Sequence, residues 1–249
     1  MKTQLYFEKA AQTYDTFTDI QEDVFLSLFP LIKEKQFNHI IDLGSGSGRL
    51  TFKLFNIFNP KTLIGIDHSK EMIKKAQKEY FNPAIYFLHK DITNLDVDKE
   101  ADLIFSNASF QWVQDLDPLF AEISTVKQRK LAFSVFLPGT FKELEQVISS
   151  TLGIQVTLPA SHFNTIDYYR SLTTKYFSNY SEKKVSFTKE FTSLNALLKW
   201  IKQVGIRGAG SSPSLHWNSG MIKDIEATYL DQFKTITVSF DVACFCCDV

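Results

Sequence analysis

An apolar run that ends in an acid and then places glycine at every second position, Ile40-Ile41-Asp42-Leu43-Gly44-Ser45-Gly46-Ser47-Gly48, constrains this chain more than any other feature. Glycine adopts positive φ and lets backbone approach a ligand closely, so a strand, a glycine turn and a helix in succession form a nucleotide-binding device. The helix follows at once in Arg49-Leu50-Thr51-Phe52-Lys53-Leu54. Glycine turns also arise for purely structural reasons, and what comes next in the chain decides the matter. The run Leu63-Ile64-Gly65-Ile66 ends in Asp67, about 20 residues beyond the glycines, where a dinucleotide-type fold places the acid that accepts hydrogen bonds from ribose hydroxyls. A third run, 85–88, is followed by Asp91-Ile92, and a fourth, 101–106, ends in Asn107. In an open parallel sheet the ligand crevice lies beyond the carboxyl ends of the strands, so Asp42, Asp67, Asp91 and Asn107 would converge.

Periodicity supplies the frame. Strands are expected at 39–43, 62–66, 84–88, 101–106 and 130–136, with helices at 48–58, 69–80 and 117–126 between them; such alternation predicts a parallel sheet with helices on both faces. Residues 1–35 read as a helical cap and 36–137 as the binding core. The pattern changes after Pro138-Gly139. Residues 138–234 are expected to carry a helix at 140–151, a strand near 184–191, a helix from Leu194 to Val204 and a cover over the substrate. Residues 235–249 alternate with period two and read as a final strand.

With 27 basic and 28 acidic residues in 249, the chain has no polyelectrolyte character, and nucleic-acid binding draws no support from its charge. Neither a leader-type segment nor a membrane-length apolar run is visible, which makes a cytoplasmic enzyme the expectation. Cys244, Cys246 and Cys247 cluster without zinc-type spacing and are expected to be reduced strand residues; no metal is expected.

An acid with G-x-G-x-G, then an acid ending strand two, an acid after strand three and a polar residue ending strand four together resemble the class I S-adenosylmethionine-dependent methyltransferases. Arg49 stands where the dehydrogenase pattern G-x-G-x-x-G would need its third glycine. The resemblance implies an α/β, Rossmann-like fold with a mostly parallel seven-stranded sheet, an antiparallel last strand, an N-terminal helical cap and a cover insertion in the C-terminal half. Three stretches narrow it: Phe7-Glu8-Lys9-Ala10-Ala11-Gln12-Thr13-Tyr14-Asp15 with Gln21, Ser106-Asn107-Ala108-Ser109-Phe110-Gln111-Trp112, and 197–210. These resemble the malonyl-acyl-carrier-protein O-methyltransferases of biotin synthesis, the BioC family. Ser45 departs from the family's frequent Cys, and the Arg207-Gly208-Ala209-Gly210 turn from its commoner form.

The resemblance implies S-adenosylmethionine as cofactor and S-adenosylhomocysteine as product, with cofactor contacts from Gln21, Asp42, Gly44, Ser45, Gly46, Gly48, Asp67, His68, Asp91, Ile92 and Asn107. It implies methylation of the free carboxylate of a malonyl thioester on acyl-carrier protein or coenzyme A. A carboxylate of ordinary pKa near 4 is ionised at neutral pH and needs no general base, and no catalytic His–acid pair is expected. Tyr14, Gln111 and Trp112 are the candidates beside the methyl; Tyr14 could equally complete a helical face with Phe7, Ala10 and Ala11, and Trp112 could be an ordinary core aromatic. Arg170, Lys202 and Arg207 are the candidate anion-binding residues, since a guanidinium fork suits carboxylate and phosphate. Methylation of another small acid or small molecule, as in trans-aconitate or polyketide-type enzymes, and a non-catalytic assembly role remain open.

Overall fold

The computed structural model describes residues 2–95, 100–126, 130–204, 213–215 and 217–248. Seven strands form one sheet: β1 (His39–Leu43), β2 (Thr62–Asp67), β3 (Ile85–His89), β4 (Leu103–Asn107), β5 (Lys130–Phe136), β6 (Asn179–Phe191) and β7 (Ile236–Asp248). Their order is β3-β2-β1-β4-β5-β7-β6. Pairing is parallel from β3 through β5, and β7 runs antiparallel to both β5 and β6. The expected mostly parallel sheet with an antiparallel last strand is therefore present. Order reverses between β1 and β4, so the crevice of this sheet opens at their carboxyl ends, where the chain places its glycines.

Helices cover both faces. One face buries α2 (Asp19–Leu28), α3 (Arg49–Phe58), α4 (Lys70–Glu79), α6 (Lys142–Leu152), α8 (Leu194–Gln203) and α9 (Ser219–Phe233); the other buries α5 (Asp117–Thr125) and α7 (Ile166–Tyr176). Local chemistry sets their ends: Ser69, Ser193 and Asn218 each accept a backbone N–H from the first turn of α4, α8 and α9, and Pro118 opens α5. Every residue of β5 is buried, as is nearly all of β7, which makes these adjacent strands the middle of the apolar core.

Several boundaries differ from expectation. At the N-terminus α1 (Lys2–Ala10) stops before Tyr14, which lies in a separate 3₁₀ turn, Tyr14–Phe17, and so does not complete the face of α1. Helices α7 and α9 were not anticipated individually, and β6 begins at Asn179 because it pairs with β7 down to Asp248. Among the described residues, 138–234 build β6, a 3₁₀ turn at Pro159–His162 and four α-helices; Phe163 reaches the crevice through an edge contact with Trp112, and α8 packs near the turn that carries Tyr14. Cys244, Cys246 and Cys247 are buried, unpaired residues of β7. Among the described residues no helix is long and apolar enough to cross a membrane, and no cluster of three or more His, Cys, Asp or Glu could hold a metal.

Candidate active site

The site starts at the turn after β1. Gly44 N and Ser45 N donate to Ile66 O at 2.8 and 3.0 Å, which ties the turn to the end of β2. Gly44, Gly46 and Gly48 have φ of +82, +56 and +82°, the left-handed region that favours glycine. A Cβ on Gly44 would lie 2.1 Å from Ser109 Oγ, so this glycine lets the β4 loop close on the turn; at Gly46 the nearest atom would be Tyr14 Cε1 at 3.9 Å, which leaves space above the backbone.

The acids take different environments. Asp42 is buried beneath the turn and accepts from Thr51 Oγ1 at 2.6 Å; burial, with a contribution from the Asp67 charge, pushes its pKa up to about 7. Asp67 accepts from Gly46 N at 2.9 Å and Ser69 N at 2.8 Å, and burial outweighs these bonds to raise its pKa. His68 Nδ1 lies 3.7 Å from Asp67 Oδ1, a charge contact between adjacent residues that is too long for a hydrogen bond. Asp91 is exposed; backbone and hydroxyl bonds from Thr93, at 2.9 and 2.8 Å, hold its carboxyl below the usual range.

Asn107 closes the fourth strand end with both amide groups engaged: Nδ2 donates to Gln21 O at 3.0 Å, and Oδ1 accepts from Ser134 Oγ at 2.8 Å. The next residue, Ala108, has φ +52° and is held by bonds from its N–H to Ser134. Strain of this kind in a non-glycine residue gathers at ligand sites.

These groups bound a cavity of about 390 Å³. Gly44, Gly46, Asp67, His68, Asp91, Ile92 and Asn107 line one part, and Phe7, Tyr14 and Trp112 wall another. Trp112 meets Phe7 and Phe163 edge-on at 5.8 and 5.0 Å. A recess of about 40 Å³ shares Tyr14, Gly44, Gly46 and Asn107 and reaches Gln21, Asp42 and Ser45. Gln21 Oε1 and Ser45 Oγ are buried without a hydrogen-bond partner among the described residues. Buried polar atoms are normally satisfied, so this recess suits a ligand with polar groups of its own. Gly48 lies outside both, its Cβ position filled by Ala76 and Phe87.

Other expected residues are not brought to the cavity. Gln111 is buried in the 3₁₀ turn Phe110–Trp112, where Nε2 donates to Ala108 O at 2.6 Å; consecutive side chains of such a turn point about 120° apart, so Trp112 faces the cavity and Gln111 does not. Arg170 is occupied by Glu182 and by Asp167 at 2.8 Å, away from the cavity. Lys202 is exposed on α8. Arg207 lies outside the described residues. Met72, Thr93, Ser109, Val113 and Gln114, which sequence patterns did not single out, line the cavity instead. Their signal was positional only, since each follows a strand end by a few residues.

The sheet order, the glycine turn on β1 and acids at the following strand ends define a class I S-adenosylmethionine-dependent methyltransferase. A family model described as a methyltransferase domain matches residues 34–176. Malonyl-(acyl-carrier protein) O-methyltransferase 1 of Ilyobacter polytropus is 30% identical over 232 residues, covering 91% of this chain and 85% of that protein. The enzyme of the same name from Hamiltonella defensa is 29% identical over 241 residues, covering 95% and 90%. The chain belongs to the malonyl-(acyl-carrier protein) O-methyltransferase family. Among solved structures, the YcgJ protein from Bacillus subtilis superposes with a TM-score of 0.61 at 14% identity, covering 90% of this chain and 97% of that one. Phosphoethanolamine N-methyltransferase 2 of Haemonchus contortus, solved with S-adenosyl-L-methionine, gives 0.60 at 12% identity, covering 97% and 57%. Identities this low speak for the fold alone.

Proposed function

We propose that this protein methylates the free carboxylate of a malonyl thioester carried by acyl-carrier protein or coenzyme A. The observation that carries this reading is similarity along nearly the whole chain to enzymes of that name. The cavity fits the cofactor: polar recess, glycine turn and acids are the donor and acceptor set that such a ligand requires. Asp67 would accept from the ribose hydroxyls and Asp91 with Ile92 and His68 would border the base. The Gly44–Gly46 backbone, Gln21 and Ser45 would hold the amino-acid end, with Asp42 and Asn107 fixing the turn and the cap around it. S-adenosylmethionine supplies a methyl on a sulfonium and leaves as S-adenosylhomocysteine.

The chain's own part is orientation and removal of water. Phe7 and Trp112 form an apolar wall beside Tyr14. Burial, then the charges of Asp67 and Asp15, raises the Tyr14 pKa, so its hydroxyl stays protonated and can donate to the acceptor. Holding reactants about 3–3.5 Å apart contributes up to roughly 7–11 kcal/mol in favourable systems. Transfer from sulfonium to carboxylate destroys two opposite charges. A cation fixed on the carboxylate would stabilise the ground state more than the transition state, and among the described residues the cavity lining has no Lys or Arg. His68 is not required as a base, because the carboxylate is already ionised. We place the enzyme in the cytoplasm, in keeping with its unpaired cysteines.

Mass spectrometry of malonyl-carrier protein, malonyl-coenzyme A and acetyl-carrier protein after incubation with S-adenosylmethionine tests the proposal. The expected result is a gain of one methyl on a malonyl thioester and none on acetyl. A protein that binds S-adenosylhomocysteine yet transfers to neither malonyl thioester would overturn it.

A further inference from the structure

No residue of the 3₁₀ turn that carries Tyr14 is fully buried; Phe17 packs half-buried against the core and Phe7 meets the Tyr14 ring edge-on at 6.3 Å, but neither contact sets the position of the turn along the glycine loop. Charges do. Asp15, the next residue, accepts from Lys75 Nζ of α4 at 2.8 Å and from Ser47 Oγ of the glycine turn, and lies 3.9 Å from Arg49 Nε at the start of α3. Lys75 has only 9% of its side chain exposed and also donates to Ala11 O at 3.1 Å. Arg49 reaches on to Thr18 O at 3.1 Å and Glu22 at 2.5 Å, and Lys53 shares Glu22. One carboxylate therefore joins α3, α4 and the glycine turn to the segment between α1 and α2, while the Tyr14 ring lies over Gly46.

We propose that Asp15 with Lys75 and Arg49 forms an ionic latch that positions Tyr14 over the glycine turn, making Lys75 and Arg49 positioning residues of methyl transfer. Lys75 lines neither the cavity nor the recess, whereas Arg49 borders the recess only. Lys75 binds backbone on the N-terminal side of Tyr14 and Arg49 binds it on the C-terminal side, so losing either frees one end of the turn. A hydrogen-bonded ion pair shielded from water is strong enough to matter, since each such bond alters an equilibrium by about tenfold or more. The proposal rests on the methyl-transfer reading for its catalytic part only; closure of the turn on the cofactor requires no particular acceptor.

The test compares Lys75→Met, which keeps the aliphatic stem, with Lys75→Arg and Asp15→Asn in the full chain. Hydrogen exchange of the cofactor-free protein should quicken over residues 11–18 in Lys75→Met and Asp15→Asn, and stay near wild type in Lys75→Arg. Calorimetric affinity for S-adenosylhomocysteine should fall about tenfold in the first two and less than about threefold in the last. On the methyl acceptor, kcat should fall about tenfold for Lys75→Met alone but less than about threefold when Tyr14→Phe is already present, the non-additivity of a residue acting through another. Unchanged exchange and affinity in Lys75→Met would overturn the latch. So would equal losses of kcat with and without the Tyr14 hydroxyl, or faster exchange throughout the sheet, which would mark Lys75 as a general stabiliser. Failure to methylate malonyl would leave the exchange and binding results standing, so the two proposals fail separately.

Discussion

All of the sheet shares an apolar core, but the carboxyl ends of β1, β2 and β4 and the strands β5, β7 and β6 differ in the contacts added to it. Around β1, β2 and β4 the contacts are polar and directional: Asp67 bridges Gly46 and Ser69, Asn107 joins Gln21 to Ser134, and Asp15 and Glu22 collect Arg49, Lys53 and Lys75. Around β5, β7 and β6 ring packing dominates: Phe240 packs against Phe141 and Trp200 at 5.2 and 5.7 Å, and Phe133 stacks on Phe245 at 4.9 Å, while the polar contacts there, such as Glu143 with Ser239 and Arg170 with Glu182, lie outside the cavity lining. Directional contacts place a ligand's partners to within a fraction of an ångström and leave them responsive to charge. Apolar contacts supply non-directional stability. The chain thus separates the half that binds from the half that holds.

Phe240→Ala should break the comparison hardest if it is wrong. Its ring is buried, and truncation should cost about 3–5 kcal/mol in denaturant unfolding while the folded fraction keeps its affinity for S-adenosylhomocysteine. Loss of affinity at unchanged stability would place the binding function in the wrong half. Gly44→Ala should do the converse. A Cβ 2.1 Å from Ser109 Oγ at φ +82° predicts about 1–3 kcal/mol of strain together with loss of measurable ligand binding. Gly46→Ala, with 3.9 Å to its nearest neighbour, should cost less stability and yet also weaken binding, because its methyl enters the cavity.

A smaller effect comes from Asp42. Its folded pKa, about 7, lies above the ordinary 3.8, so its contribution to stability is complete below about pH 4 and is lost as pH rises towards 7. Between pH 5 and 6 the cofactor-free protein should lose up to about 1.4 kcal/mol per unit from this group, and about half that slope near pH 7. Asp67 is shifted in the same direction, whereas the lowered carboxyls of Glu22 and Asp91 act at lower pH. Thermal melts of Asp42→Asn across that window should show a shallower slope; an identical slope would remove Asp42 from the explanation. The smallest expected signal is from Cys244, Cys246 and Cys247. Burial raises all three thiols, Cys244 to about 12 and Cys246 to about 11, so mass spectrometry should find them unlabelled by thiol reagents in the native protein.

The same division explains what was legible in the sequence. The glycine turn and Asp42, Asp67, Asp91 and Asn107 announce themselves because each chemical group sits at the end of its own apolar run, and parallel order then brings them together. The latch was not legible: Arg49 and Lys75 meet partners 27 to 64 residues away, and nothing local distinguishes them from surface cations. Tyr14 was legible as a candidate but not as a turn residue, since helical spacing continues from Phe7 past the true end of α1. Helix α9 was available to a closer reading: Met221, Ile225, Tyr229 and Phe233 recur every fourth residue. Arg170 shows the limit of arguing from residue type, because an arginine suited to anions is already occupied by Glu182 and Asp167.

Hydrogen–deuterium exchange of the whole chain with and without S-adenosylhomocysteine tests the division most directly. Added protection should concentrate in the segments around 11–18, 42–48, 67–72, 91–93 and 107–114, with β6, α7 and α9 unchanged. Protection centred on β6, α7 or α9, with the glycine turn unaffected, would contradict it.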